Sequence, residues 1–258
     1  MTLARRGLFA GLAGLLGGCS PATLLNATVS RQGFTCEADV AYGTDRRQKL
    51  DLYRPDKPRA DGRTVIFFYG GSWDSGAKND YLFVAQALAA SGYTVVIPDY
   101  RLYPAVRFPA FIDDGARAVR WTADRVGSDK VFVMGHSAGV DRMKLEGAIG
   151  LSGPYDFLPL KSARLIDIFG GANNPRIEAI TFAKAPLPPV LLIHGTADTT
   201  VYPRNSTNLA AAWRAAGAPV ELKLYPDVGH IDVVAALSGL LTGRAPTRTD
   251  VLAWLEAR

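Results

Sequence analysis

From Asp39 onward, short apolar runs bounded by turn residues alternate with longer stretches in which apolar positions recur every three or four residues. The runs Ala38–Tyr42, Lys49–Tyr53, Thr64–Tyr69, Thr94–Pro98, Lys130–Met134, Gly147–Leu151, Val190–His194 and Glu221–Tyr225 are predicted strands. The first two, joined by the polar turn 43–48, are expected to start the sheet antiparallel. Helical spacing predicts helices over Asp80–Ser91, where Leu82, Val84, Ala85, Leu88 and Ala89 form an apolar face, and over Phe111–Val126, with Ile112, Ala116, Val119 and Ala123. Further helices are predicted over Arg204–Ala216 and Asp250–Ala257. Nearly continuous apolar strands interleaved with helices imply an α/β fold: a mostly parallel, eight-stranded sheet covered on both faces. The proline-bearing stretch Pro154–Pro189 reads as an irregular excursion over the top of that sheet.

The first residues break this pattern. Arg5 and Arg6 precede the small, apolar run Gly7–Gly18, which is too short to span a bilayer as a mature helix and reads as an export signal. It ends in Leu16-Gly17-Gly18-Cys19, which resembles the lipobox of bacterial lipoproteins, where cleavage precedes a cysteine that carries lipid. The expected organisation is a signal peptide over 1–18, a lipidated tether over 19–36 and one domain over 37–258. The resemblance implies a membrane anchor at Cys19 and a place in the cell envelope. Cys36, the other of the two cysteines, would then have no partner; an ordinary signal peptide would instead allow a Cys19–Cys36 bridge. At 48% hydrophobic and 21% charged, the 258 residues suffice for one substantial core. The net charge of +5 is mild and no Lys/Arg run tracks phosphates, so nucleic acid is not an expected partner.

The candidate chemistry centres on Gly135-His136-Ser137-Ala138-Gly139. Such a match is weak by itself, but here it directly follows the apolar run Val131–Met134, as a strand-to-helix turn presenting a nucleophilic serine requires. A serine hydroxyl needs a base within reach and a carboxylate to orient that base. Of the three histidines, His136 adjoins the serine and should point away from it, and His194 ends a strand as a packing residue would. His230, in the loop after the last strand, is the expected base. Asp198 emerges just beyond the strand ending at His194 and is the expected acid; Asp227 and Asp232 compete only as sequence neighbours of His230. Amides to hold an oxyanion are expected from Ala138 and from the loop Tyr69-Gly70-Gly71-Ser72-Trp73, through Gly70, Gly71 and Ser72. Trp73, Tyr103, Tyr155 and Phe157 are candidates to line an acyl or aryl pocket, with core packing the alternative for each.

These pieces, with Pro98-Asp99-Tyr100-Arg101-Leu102 and Leu151–Phe157, resemble the esterase/lipase branch of the α/β-hydrolases. That branch includes carboxylesterases, feruloyl-esterase-like proteins and kynurenine formamidases. The order Ser137, Asp198, His230 is that group's order. The resemblance implies a serine esterase acting on a small-molecule carboxylic ester, without metal or cofactor. Amide or formamide hydrolysis and a non-catalytic envelope module are the alternatives. Asp99 and Arg101 read as a structural ion pair or loop clamp. Tyr69 stands where the group has histidine, so the anchoring of the oxyanion loop must differ.

The frame after Ser137 departs further. Only residues 138–146 separate it from the strand at Gly147, whereas a parallel crossover ordinarily needs a dozen or more. A six-residue helix there would rise about 9 Å, against ~17 Å for a typical strand. The expectations are a bare patch of sheet and impaired turnover.

Overall fold

The computed structural model describes residues 25–126, 131–137 and 145–258. Ala138, Gly139 and Cys19 lie outside the described residues, as does the signal segment. Eight strands, β1 (Phe34–Ala41), β2 (Lys49–Pro55), β3 (Thr64–Phe68), β4 (Thr94–Pro98), β5 (Val131–His136), β6 (Gly147–Leu151), β7 (Val190–Gly195) and β8 (Val220–Tyr225), form one sheet in the order β1-β2-β4-β3-β5-β6-β7-β8. β1 pairs antiparallel with β2, and β2 with β4; every other pairing is parallel. The sheet is therefore the mostly parallel one expected, with its antiparallel start in place.

Among the described residues, the α-helices of six residues or more are α1 (Leu82–Ala89), α2 (Ala110–Val126), α3 (Ala163–Phe169), α4 (Arg204–Ala215), α5 (His230–Ala235) and α6 (Thr247–Glu256). In α2 the buried positions Phe111, Asp114, Ala118 and Thr122 fall three or four residues apart, on the stripe that faces the sheet. Two of the helices are not anticipated by periodicity. α3, inside the supposed irregular excursion, is seven residues long and too short to show a period, yet its ends are marked. Ser162 Oγ accepts from the Leu165 amide at 3.5 Å, and Gly170 closes the helix at φ 70°. α5 begins at His230 itself, with Asp232 accepting from the Gly229 amide at 3.3 Å.

Two expectations are corrected. The tether does not extend to residue 36: residues 34–36 belong to β1, and residues 25–28 form a helical turn with Leu25 and Val29 packed on the core. Asn26 fastens this turn, donating to Asn79 O at 2.7 Å and accepting from the Phe83 amide at 3.2 Å at the start of α1. Cys36 is a free, exposed thiol on β1. Nor is the sheet bare beside the short crossover. β5 and β6 pair in parallel from Phe132↔Gly147 to His136↔Leu151 and are buried at every position. Tyr155 from the loop after β6, with Leu209 and Ala210 of α4, packs against Ala148, Val190 and Leu192 on this part of the sheet.

Candidate active site

The parallel strands end at one edge, the position where open α/β sheets bind ligands. Gly70 follows β3, Ser137 follows β5, Asp198 follows β7 and His230 follows β8. Ser137 has φ 61°, the left-handed region that a non-glycine residue enters only in a sharp, strained turn. Its amide donates to Leu151 O at 3.2 Å, tying the turn to the end of β6.

The loop after β3 lies directly against this turn. A Cβ on Gly70 would come within 3.0 Å of Ser137 Cβ and 3.1 Å of His136 O, so any side chain there would crowd the turn. Gly71 (φ 137°), Ser72 (φ 51°) and Trp73 (φ 61°) follow with consecutive positive φ. The carbonyl of Gly71 is held by the amides of Asp74 and Ser75 at 3.1 and 3.0 Å and by Ser75 Oγ at 2.9 Å. Among the described residues, the amides of Gly71 and Ser72 meet no backbone acceptor.

Tyr69 anchors this loop from inside. It is fully buried and stacked between Tyr81 and Tyr100, with ring centroids at 5.4 and 4.9 Å. Burial pushes its phenol well above the ordinary range, so the hydroxyl stays protonated and donates to Asp99 Oδ1 at 2.6 Å. Arg47 donates to that hydroxyl at 2.9 Å and to Gly76 O at 3.0 Å. Asp99 and Arg101 do not pair with each other. Asp99 serves Tyr69 and the Lys78 amide, while Arg101 makes a forked bond to buried Asp114, its Nη2 and Nε lying 2.7 and 2.9 Å from Oδ1 and Oδ2. Both residues are clamps. Arg47 is the part of this anchor that the sequence does not flag, since it lies in a polar turn far from the motif.

His230 and Asp198 meet as expected: Nδ1 lies 2.7 Å from Asp198 Oδ2. Asp198 is 2% exposed, and its Oδ1 accepts from the amides of Thr200 and Val201, each at 2.9 Å. Burial alone would raise this carboxyl, but the Val201 amide and the His230 ring more than offset it and hold its pKa below the ordinary value. Asp227 and Asp232 take no part: Asp227 donates its amide to Thr196 Oγ1, and Asp232 caps α5.

Ser137 and His230 are linked through the third histidine. The His136 ring is buried, 4.8 Å from the His230 ring, and its Nε2 lies 3.3 Å from His230 O. Burial, then the neighbouring His230, push the His136 pKa down to about 3, so it is a neutral donor to that carbonyl. Among the described residues no hydrogen bond joins Ser137 Oγ to His230.

The four aromatic candidates separate. Trp73 and Phe157 lie half-buried around Phe169 of α3, at centroid distances of 4.8 and 6.3 Å, in a cluster with Phe108 and Phe111. Tyr103 docks on this cluster through its amide, 2.9 Å from Trp73 O. Tyr155 is instead a core residue, 6% exposed, with its hydroxyl filling the space that a Cβ on Gly150 would occupy. Arg164 of α3 pairs with Asp74, which fastens the helix to the loop after β3.

Comparison with known proteins agrees with this geometry. Residues 50–170 match the family model named BD-FAE, and residues 171–255 match the prolyl oligopeptidase family. The chain is 27% identical over 262 residues to a probable isoprenylcysteine alpha-carbonyl methylesterase of Oryza sativa subsp. japonica, covering 84% of this chain and 63% of that protein. It is 24% identical over 229 residues to a kynurenine formamidase of Danio rerio, covering 77% and 76%. The chain spans between half and two thirds of the length of the plant methylesterases it matches. Esterase B of Lactobacillus rhamnosis, solved with a tributyrin phosphonate inhibitor, superposes with TM-score 0.76 at 22% identity over 92% of this chain and 90% of that one. The sheet order, the turn at Ser137 and these matches agree: the chain has the α/β-hydrolase fold and resembles the esterase/lipase branch of that fold.

Proposed function

We propose that this chain hydrolyses carboxylic esters through an acyl intermediate on Ser137. The observation that carries this reading is the 2.7 Å bond from His230 Nδ1 to a buried Asp198 at the strand edge that presents Ser137. Ser137 Oγ attacks the ester carbonyl carbon as its proton passes to His230 Nε2; His230 then gives that proton to the departing alkoxide, and water repeats the exchange to release the acid. Asp198 holds the Nδ1–H tautomer and stabilises the imidazolium. The amides of Gly71 and Ser72, with that of Ala138, receive the negative charge on the carbonyl oxygen. Bonds between serine and base are often long in free enzymes and tighten in the substrate complex, so Ser137 Oγ closes on His230 Nε2 when the ester is seated. Trp73 and Phe157 offer an apolar wall to the acyl or aryl group.

Formamide hydrolysis is the second reading, favoured by the similarity to a kynurenine formamidase across three quarters of that protein. It uses the same residues, with His230 protonating a leaving amine. Incubation with a fluorophosphonate probe and turnover of p-nitrophenyl butyrate and N-formylkynurenine test both. Ser137 is expected to be labelled, and Ser137→Ala to lose label and at least about 10⁴-fold in kcat. An unlabelled, inactive wild-type protein would return the chain to a non-catalytic module, and formamide turnover without ester turnover would select the second reading.

A further inference from the structure

Two of the three histidines, His230 and His194, flank the Asp198 carboxylate, with His136 packed beyond His230, and the reaction as proposed uses only His230. His194, at the end of β7, is completely buried. Its Nε2 lies 2.8 Å from Val201 O and 3.2 Å from Asp198 Oδ2, while its Nδ1 lies 2.7 Å from Ser206 Oγ in α4. A carbonyl only accepts, so Nε2 carries the hydrogen, Nδ1 accepts from the Ser206 hydroxyl, and the ring is neutral with both nitrogens satisfied. Burial favours the same neutral form. Ser206, His194 and Asp198 thus form a second serine, histidine and aspartate series with the ring reversed. Its hydroxyl is fully buried and no substrate can reach it.

The consequence falls on Asp198. Its Oδ1 accepts two amides, and its Oδ2 accepts the N–H of His230 and lies 3.2 Å from His194 Nε2, whose hydrogen is directed to Val201 O. Three donors and the packed His194 ring restrict the carboxylate plane, and His194 also holds Val201, whose amide is one of those donors. We propose that His194 is a positioning residue: held by Ser206, it fixes the carboxylate of Asp198 so that Oδ2 faces His230 Nδ1, and it ties Val201, and with it the acid's loop, to the end of β7. The charged and titratable groups around it are Asp198, His230 and, beyond His230, His136. The proposal rests on Asp198 being the acid of the site.

The test uses the full chain with three substitutions. His194→Phe removes both ring bonds, His194→Gln restores an N–H donor near Nε2, and Ser206→Ala removes only the hydroxyl that fixes the tautomer. With p-nitrophenyl butyrate, His194→Phe and Ser206→Ala are expected to lower kcat on the order of 10- to 100-fold with little change in KM, as misplacement of a reacting group does, and His194→Gln to recover most of it. ¹⁵N-histidine NMR resolves just three ring systems. The low-field His230 Nδ1–H resonance is expected to shift or broaden in His194→Phe and to return in His194→Gln. A folded His194→Phe with wild-type kcat and an unmoved resonance overturns the proposal, as does a His194→Gln no better than His194→Phe. If His194→Phe does not fold, Ser206→Ala decides by the same two readouts. If the wild-type protein turns over no ester, the proposed function fails, while the resonance still reports whether His194 governs the bond between Asp198 and His230.

Discussion

At the residue scale, the site rests on a division of labour at Asp198. One carboxylate oxygen is spent on the backbone amides of its own loop and the other on imidazole. Asp198→Asn keeps the shape but places either an amide N–H or a weaker acceptor opposite His230 Nδ1, which destabilises the tautomer that leaves Nε2 free to take a proton. The expected outcome is a loss of about 10⁴-fold in kcat with the fold intact by circular dichroism. Asp227→Asn, which touches only the loop edge, should stay within about twofold in the same assay. A large effect at Asp227 and a small one at Asp198 would assign the acid differently.

At the element scale, the oxyanion amides proposed above come from the loop after β3 and from the connection after β5. Gly71 sits at φ 137°, and a Cβ there would lie 2.2 Å from Ser75 O, a backbone atom that cannot swing away. Gly71→Ala must reshape the loop, so it is expected to lower kcat by roughly 100-fold, the scale of one lost oxyanion donor, with a modest fall in melting temperature. Wild-type turnover in a folded Gly71→Ala protein would remove this loop from the oxyanion site. The connection after β5 is short: residues 138–146 join strands that pair in parallel along their length. A helix at this place would lend its N-terminal field to the Ala138 amide. Inserting about twenty residues of a related esterase's helix after Gly139 is therefore expected to raise ester turnover, and equal rates in the two forms would show that the short connection imposes no cost.

At the scale of the whole molecule, two buried neutral imidazoles couple stability to pH. His136 is held neutral with its pKa down to about 3, and burial displaces His194 in the same direction. The unfolded chain takes up protons at these sites near 6.5, which the folded state refuses. The stability they confer is full above about 6.5 and falls as pH drops below it, for His136 down to about 3. Asp198, held below its ordinary value, acts lower down: its contribution is present above about 3.9 and lost as pH falls through its folded pKa. For His136 this amounts to about 1.4 kcal/mol by pH 5.5. Urea midpoints should fall between pH 7.5 and 5.5, and His136→Phe should show a shallower fall; identical slopes in the two proteins would contradict the assignment.

Apolar runs bounded by turn residues determined the strands and their mostly parallel order, because burial on both faces demands continuous hydrophobic segments whatever their partners. The turn at Ser137 and the pairing of Asp198 with His230 were likewise legible, since each follows a strand that must end at the same edge. What periodicity could not carry was decided by tertiary contact. α3 and α5 are too short to show a period and exist through their caps and packing. Tyr155 went to the core because Gly150 and Gly153 leave room for its ring. Arg47 reached Tyr69 from a remote turn, and His136 and His194, taken from sequence as packing residues, came to rest on the machinery of His230 and Asp198. Local sequence fixes what a segment buries; which distant side chain fills a given lone pair depends on where the folded sheet brings its loops.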